Sequence, residues 1–210
     1  MVNTLFSFMF GILTALFPIA NPIGAIPIFY SLTAKNTAKY RLRQARKITF
    51  NVFAVLTIFF LVGKFILSFF GISLAVVRIA GGLIVAHTAW QMVTPQPRLS
   101  NQEQLEAVDK EDISFTPMAM PIISGPGAIG IVIGFSTRCH QWPEYLGCVL
   151  GITLFSFITY FCLILGEPLI KGLGTTGIGA LNRILGFLIL AIAVQLIADG
   201  VITFIKYQIS

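Results

Sequence analysis

The sequence has too few charged residues for a protein whose whole surface faces water. Only 10% of its 210 residues are Asp, Glu, Lys or Arg, while 56% are hydrophobic. Soluble domains carry about 25% charged residues, because a surface in water needs many polar groups to cover it. This shortage excludes an ordinary soluble domain and indicates that much of the surface contacts lipid.

Residues that build metal, redox or nucleotide sites are also scarce. The chain has 2 histidines, His87 and His140, with no cluster of carboxylates beside them, which falls short of a metal site. Cys139, Cys148 and Cys162 form no Cys-x-x-Cys pair, and a disulfide framework is not expected. No nucleotide-binding loop is present. We therefore predict no metal, no cofactor and no reaction driven by ATP.

Long uncharged runs make up most of the chain. A helix needs about 20 apolar residues to cross the hydrocarbon core of a bilayer. Four runs near or above this length contain no charged residue at all: residues 1–34, 79–97, 113–137 and 145–166. Two more, 47–70 and 177–205, are as apolar but carry isolated charges. The alternating pattern of transmembrane β-strands is missing, so the sequence predicts an all-α membrane protein with six transmembrane helices.

The basic residues indicate how these helices are oriented. Six of the 14 basic residues lie between the first two spans: Lys35, Lys39, Arg41, Arg43, Arg46 and Lys47. Basic residues in short loops mark the cytoplasmic side of a membrane protein. Alternating the spans from this segment places both chain termini outside, in the periplasm. The net charge of +6 is therefore read as a topology signal, and no nucleic-acid partner is predicted.

The two halves of the chain resemble each other. Residues 18–26 and 121–129 share five of nine residues at an offset of 103, and residues 78–86 and 183–191 share six of nine at an offset of 105. Each half holds three spans, so the second half must enter the membrane from the opposite side. Inverted three-helix repeats occur in transporters, with the solute bound where the halves meet. The predicted domains are a first transmembrane repeat (1–94), a cytoplasmic linker (95–112) and a second transmembrane repeat (113–210).

Prolines interrupt the first span of each repeat. They are Pro18, Pro22 and Pro27 in span one and Pro117, Pro121 and Pro126 in span four. An interior proline costs a helix about 3 kcal/mol or more, so helices 1 and 4 are expected to be broken near the membrane midplane. Backbone groups freed at this depth are tolerated only where protein or a watery cavity covers them. Both breaks are therefore expected to face inward, toward each other.

We predict that the two breaks form the binding site. Half-helix ends offer free N–H groups to an anion, and Asn21 and Ser124, at equivalent repeat positions, can donate and accept hydrogen bonds. The predicted substrate-binding residues are Asn21, Pro22, Gly24, Ser124, Gly125, Pro126 and Gly127. In the alternative interpretation, proline and glycine only allow close packing, and Asn21 and Ser124 only cap the half-helices.

Three further residues are candidates for gating or coupling. Arg78 and Arg183 occupy matching positions in the two repeats, and the alternative is that both side chains reach to the membrane interface. His87 lies inside span three, where an imidazole can carry a proton near neutral pH. The alternative for His87 is a packing role.

Four motifs give the chain a recognisable pattern. They are N-P-I-G-A-I-P-I-F in span one, F-G-I-S followed by R-I-A-G-G-L-I-V-A in span three, P-M-A-M-P-I-I-S-G-P-G-A-I in span four and R-I-L-G-F-L-I-L in span six. Together they cover essentially the whole chain and resemble the MarC family of bacterial inner-membrane proteins. The resemblance implies six spans and a location in the cytoplasmic membrane, and some relatives transport neutral amino acids. Some relatives have Asp in place of Asn21, so the resemblance does not imply ion coupling here.

The predicted function is secondary transport, in either direction, of a small neutral or zwitterionic solute such as a small amino acid. A passive channel or a membrane protein without transport activity is the main alternative. An intramembrane enzyme using Ser124 and His87 is weaker, because nothing in their spacing supports a catalytic pair, and we predict no enzymatic activity. A redox carrier would need cysteines where Asn21 and Ser124 stand. The predicted partners are the solute and membrane lipids, and homo-oligomer formation is left open.

Overall fold

A computed structural model describes residues 2–94 and 111–209. Most of the predicted linker, 95–112, therefore lies outside the described residues. The helices are α1 (Val2–Ala20), α2 (Pro22–Leu32), α3 (Ala38–Phe69), α4 (Leu74–Val93), α5 (Ser114–Ile123), α6 (Pro126–Ser136), α7 (Trp142–Ile164) and α8 (Gly166–Ile209). Within the described ranges there is no β-strand, which confirms the all-α prediction.

Five helices are long and apolar enough to cross a membrane. They are α1, α3, α4, α7 and the part of α8 from Gly179 to Lys206. The pair α5 and α6 is bent by 68° and makes a sixth span if it is counted as one. The described chain is therefore a multi-pass helical membrane protein with five to six candidate spans.

Asn21 separates α1 from α2. Its φ of 43° and ψ of 68° place it in the left-handed region, which asparagine tolerates better than most residues. Its Oδ1 accepts a hydrogen bond from the N–H of Gly24 at 3.0 Å, and Pro22 occupies the first turn of α2, where its missing N–H costs nothing. Pro18 and Pro27 lie inside α1 and α2, so one of the three prolines in this span marks a helix end.

The second interruption separates α5 from α6 and is wider. α5 is an irregular segment with five-residue turns, in which the peptide bonds before Pro117 and Pro121 are cis. Its last turn closes with the N–H of Ser124 donating to the carbonyl of Ala119 at 2.7 Å. α6 then starts at Pro126 in a new direction. The chain turns sharply here because two prolines without N–H groups prevent a regular helix.

Glycines let the helices pack closely. Gly147 on α7 faces α1, where an added Cβ would lie 2.5 Å from the carbonyl oxygen of Leu5. Gly63 on α3 faces α6, and an added Cβ there would lie 3.0 Å from Ile133. Small residues commonly let backbones approach one another in membrane helix pairs. In both pairs the two helices run parallel.

α4 and α8 form an antiparallel pair. Gly82 packs against Ala193 and Ile197, and Gly200 packs against Ile79. Near its start, α8 is broken at Gly174, whose φ of 64° no ordinary helix residue adopts. The paired part of α8 is therefore the apolar segment that follows this break.

The bundle has two distinct ends. We call the end formed by loop 33–37, residues 111–113 and the α7–α8 junction the basic end, and the end formed by loops 70–73 and 137–141 the far end. The names follow from the basic residues of 35–47, which cluster at the first of them. Both α1 and α7 start at the far end and run toward the basic end.

Ion pairs connect the helices at the basic end. Lys47 on α3 pairs with Asp112, and Arg41 pairs with Glu167 on α8 at 3.5 Å. Desolvation alone would raise the pKa of Asp112, but hydrogen bonds from Lys47 and Ser114 outweigh it and lower the pKa to about 2. The hydrogen bond and charge of Lys171 lower the pKa of Glu167. Both carboxylates therefore stay ionised at neutral pH and hold α3 against its neighbours.

Candidate functional site

A cavity of about 180 Å³ lies at the interruption between α5 and α6. We call it the break cavity. Residues 121–123 and 125–128 form one wall, and Thr88 and Gln91 from α4 lie in the wall with Ile19 of α1. Gly125, Pro126 and Gly127, three of the predicted substrate-binding residues, thus belong to one cavity. Two polar side chains face it from a helix that the sequence analysis did not assign to the site.

The start of α6 offers backbone donors to this cavity. Gly125 is the N-cap residue of α6 and makes no side-chain capping bond. The first helical hydrogen bond runs from the N–H of Ile129 to the carbonyl of Gly125 at 3.0 Å, so the N–H groups of Gly127 and Ala128 precede it. A helix start carries about half a positive charge. This wall of the cavity therefore favours an anionic or electron-rich group.

The side chains on α4 supply hydrogen-bonding groups of a different kind. The hydroxyl of Thr88 donates to the carbonyl of Ile84 at 3.0 Å, which leaves its oxygen lone pairs able to accept. The Nε2 atoms of Gln91 and His87 lie 2.9 Å apart. His87, a candidate coupling residue, is exposed on α4 and reaches the break cavity only through Gln91.

The other predicted site residues are buried beside the cavity rather than in its wall. Asn21 is buried and its Oδ1 caps α2, while its Nδ2 has Met92 Sδ as a weak partner at 3.7 Å. Pro22 and Gly24 are buried in α2. Ser124 is fully buried, and its Oγ has no hydrogen-bond partner among the described residues. Their assignment as substrate-binding residues stays a prediction.

A second cavity of about 220 Å³ extends from the break cavity toward the far end. We call it the far cavity. Its walls come from α1, α4, α6 and α8, and they include Arg78, Arg138 and the glycines Gly81, Gly130 and Gly134. Of the three gating candidates, Arg78 lines this cavity, whereas Arg183 is exposed on α8 and lines neither cavity.

The two cavities meet at a narrow neck. Ile19, Val85 and Gly127 line both of them. A Cβ added at Gly127 would lie 2.8 Å from Cγ2 of Val85 and 3.1 Å from Cγ2 of Ile19. Such contacts are closer than van der Waals packing allows, so the neck is closed by the packing of Gly127 against Val85 and Ile19 and leaves no room for a side chain at residue 127.

Sequence reasoning missed Thr88 and Gln91 on α4, and Arg138. Thr88 and Gln91 are three residues apart and therefore lie on one face of the helix, and polar residues on one face of an apolar span are a signal that points to the site. Ile19 and Val85 are ordinary apolar residues, and nothing in the sequence marks them as members of a neck.

The described residues define the class of this protein. Long apolar helices and a chain with 10% charged residues are the features of a multi-pass integral membrane protein.

Comparison with known proteins identifies the family. Residues 6–205 match the sequence profile of the MarC family integral membrane proteins, and the chain belongs to this family. It is 35% identical to a membrane protein of Buchnera aphidicola subsp. Schizaphis graminum, over 93% of this chain and 92% of that protein. It is 34% identical to the membrane protein YhcE of Escherichia coli (strain K12), over 96% of each chain.

A further relative carries a location in its name. The chain is 32% identical to the inner membrane protein MarC of Escherichia coli O1:K1 / APEC, over 92% of this chain and 94% of that protein. No solved structure matches the chain. The family resemblance found in the sequence motifs is thus confirmed over nearly the whole length.

Proposed function

We propose that this protein is a secondary carrier that binds a small neutral or zwitterionic solute, such as a small amino acid, in the break cavity. The observation that carries the proposal is that the start of α6, which has no side-chain cap, lines one cavity together with Thr88 and Gln91. The N–H groups of α6 bind a carboxylate or another electron-rich oxygen. The hydroxyl of Thr88 and the amide of Gln91 bind the ammonium or hydroxyl groups of the same solute.

The size of the break cavity limits the solute. Its volume is about 180 Å³. Drug-sized ligands occupy pockets of about 300–1,000 Å³, so large substrates do not fit without rearrangement.

Contacts that recur in the two halves support an inverted repeat. Gly63 packs against Ile133 on α6, and Gly166 packs against Tyr30 on α2. The offset of 103 found in the sequence relates the two pairs, because it places Gly63 at the position of Gly166 and Tyr30 at the position of Ile133. In addition, α1 and α7 both run toward the basic end, whereas α3 and α6 both run toward the far end. Two such halves provide the two arrangements that alternating access requires.

The remaining predictions about site and location belong to the same proposal. Asn21 and Ser124, both buried and close in sequence to residues that line the cavity, contact the solute, and Arg78, His87 and Arg183 take part in gating or coupling. The protein lies in the inner membrane with the basic end in the cytoplasm and both termini outside, in agreement with the positive-inside rule. The inner membrane protein MarC of Escherichia coli, a relative of this chain, supports the inner-membrane location.

Counterflow in reconstituted vesicles tests the carrier. We expect vesicles loaded with unlabelled glycine or alanine to accumulate the labelled solute transiently and saturably, because a carrier exchanges solute across the membrane. Thr88→Val should lower this exchange about tenfold or more, since a solute group left without its hydrogen-bond partner costs about 1–3 kcal/mol.

The matched control is Thr14→Val. Thr14 also donates its hydroxyl to the carbonyl four residues earlier, at 2.8 Å, but it faces outward from α1 and lines neither cavity. It should keep the exchange rate within about twofold. Flux that rises linearly with concentration and shows no counterflow would favour the channel, and equal rates in both threonine variants would remove Thr88 from the site.

A further inference from the structure

The far cavity is lined by two arginines, of which Arg78 is half-buried and Arg138 is exposed. Arg78 on α4 and Arg138 after the end of α6 both line it. Neither arginine forms an ion pair within residues 2–94 and 111–209. The lining residues of this cavity include no acidic side chain. Apart from these two arginines, the far cavity is lined by glycine and apolar side chains.

Both arginines are held in place by contacts that leave donors available. Nη1 of Arg78 donates to Oγ1 of Thr203 at 3.3 Å, and the guanidinium carbon of Arg138 lies 5.5 Å from the ring centroid of Phe135, which also lines the cavity. A guanidinium group has five N–H donors. Each arginine thus retains several N–H groups for a ligand after these contacts are made.

We propose that the far cavity is a vestibule in which Arg78 and Arg138 bind the carboxylate of the solute before it passes the neck. This inference rests on the proposed carrier function and adds the substrate class: the solute carries an anionic group. Guanidinium groups bind carboxylates through short, charge-assisted hydrogen bonds. A positively charged cleft with low-dielectric walls also raises the local concentration of anions.

Residues of α6 line both cavities. Arg138 follows the last turn of this helix, Gly134 and Gly130 line the cavity on successive turns, and Gly127 forms the neck at the first turn. A solute that moves from the vestibule to the break cavity thus exchanges two guanidinium groups for the N–H groups at the start of α6. The arginines and the start of α6 both present positive charge, and the glycines of α6 lie between them.

Thiol labelling at Gly134 tests the vestibule without requiring transport. A Cβ at Gly134 meets nothing within 4 Å, so Gly134→Cys places a thiol in the far cavity. The probes are two methanethiosulfonate reagents, one with a sulfonate end and one with a trimethylammonium end. Each rate is divided by the rate at Ile72→Cys, in the exposed loop of the same end, and labelling of the unsubstituted protein is subtracted.

We expect the sulfonate reagent to be favoured by about tenfold or more at Gly134→Cys, within the range of electrostatic steering. Adding Arg78→Gln and Arg138→Gln should bring the ratio of the normalised sulfonate rate to the normalised trimethylammonium rate close to one. Arg78→Lys and Arg138→Lys keep the positive charges and should therefore keep most of the preference for the sulfonate reagent. A ratio near one in the parent, or a ratio that survives both glutamine substitutions, would overturn the proposal.

Two further arms identify the anion. Glycine and glycolate should slow the labelling of Gly134→Cys, and glycinamide, which lacks the carboxylate, should not. The preference should be the same in vesicles of phosphatidylcholine alone and in vesicles that also contain phosphatidylglycerol. If phosphatidylglycerol abolishes the preference, the arginines bind lipid phosphate and the solute assignment is wrong. Preference and protection without counterflow would instead contradict the carrier function and leave the vestibule intact.

Discussion

Replacing Gly127 with alanine is expected to reduce solute counterflow by about tenfold or more while the protein still folds. The new Cβ would lie 2.8 Å from Cγ2 of Val85, and a β-branched side chain has little rotamer freedom on a helix to move away. Overpacking of this kind costs about 1–3 kcal/mol. If the neck is the passage between the two cavities, this cost is added to the barrier that the solute crosses.

Two matched variants separate blockage of the neck from a general effect of an added methyl group on a helix. Gly179→Ala adds the same methyl group on α8 at a position that lines neither cavity and where nothing lies within 4 Å, and it should leave the counterflow rate within about twofold. Val85→Ala combined with Gly127→Ala should restore much of the lost rate, because it removes the atoms that the new Cβ meets. Normal counterflow in Gly127→Ala, or no recovery in the double variant, would contradict the neck.

Gly82→Ala and Gly81→Ala are expected to change stability in opposite directions, although the two glycines are neighbours on α4. A Cβ at Gly82 would lie 2.6 Å from Cγ1 of Ile197 and 3.1 Å from the carbonyl oxygen of Ala193, whereas a Cβ at Gly81 meets nothing within 4 Å. Gly82→Ala should therefore separate α4 from α8 and lower the free energy of unfolding by about 1–3 kcal/mol. Gly81→Ala should raise the free energy of unfolding by about 0.5–1 kcal/mol, because alanine loses less backbone conformational freedom than glycine when the chain folds into a helix.

Thermal unfolding of the purified protein in detergent measures both effects. For a chain of this size, 1 kcal/mol corresponds to a shift of about 2–4 °C in Tm. The variants should thus move Tm in opposite directions from the parent. Equal Tm values for the two variants would mean that the close approach of α4 and α8 is not maintained in the protein in solution.

Local chemistry explains which parts of the structure were predictable. The length of the apolar runs identifies the spans. Proline has no N–H group to donate in a helix, and helices start at Pro22 and Pro126. The outcome at Pro18 and Pro27 is different, because both lie inside helices. A proline shows where a helix is weakened, and the surrounding packing decides whether it breaks.

The residues that line the cavities were harder to predict, because membership depends on which helices meet. Thr88 and Gln91 lie on α4, in the third span, and reach the break cavity only because α4 packs beside α6. Arg78 and Arg183 occupy matching positions in sequence, yet Arg78 lines the far cavity and Arg183 is exposed. Similar sequence in the two halves therefore does not give the two arginines similar surroundings.

Labelling of Thr88→Cys from each side of the membrane tests the carrier most directly. Thr88 lies in the wall of the break cavity, and an impermeant thiol reagent is added either outside sealed vesicles of known orientation or inside them. We expect the reagent to label Thr88→Cys from both sides, and glycine or alanine to slow the labelling from both sides. Labelling from neither side, or labelling that these solutes leave unchanged, would contradict the assignment of the break cavity as the solute site of a carrier.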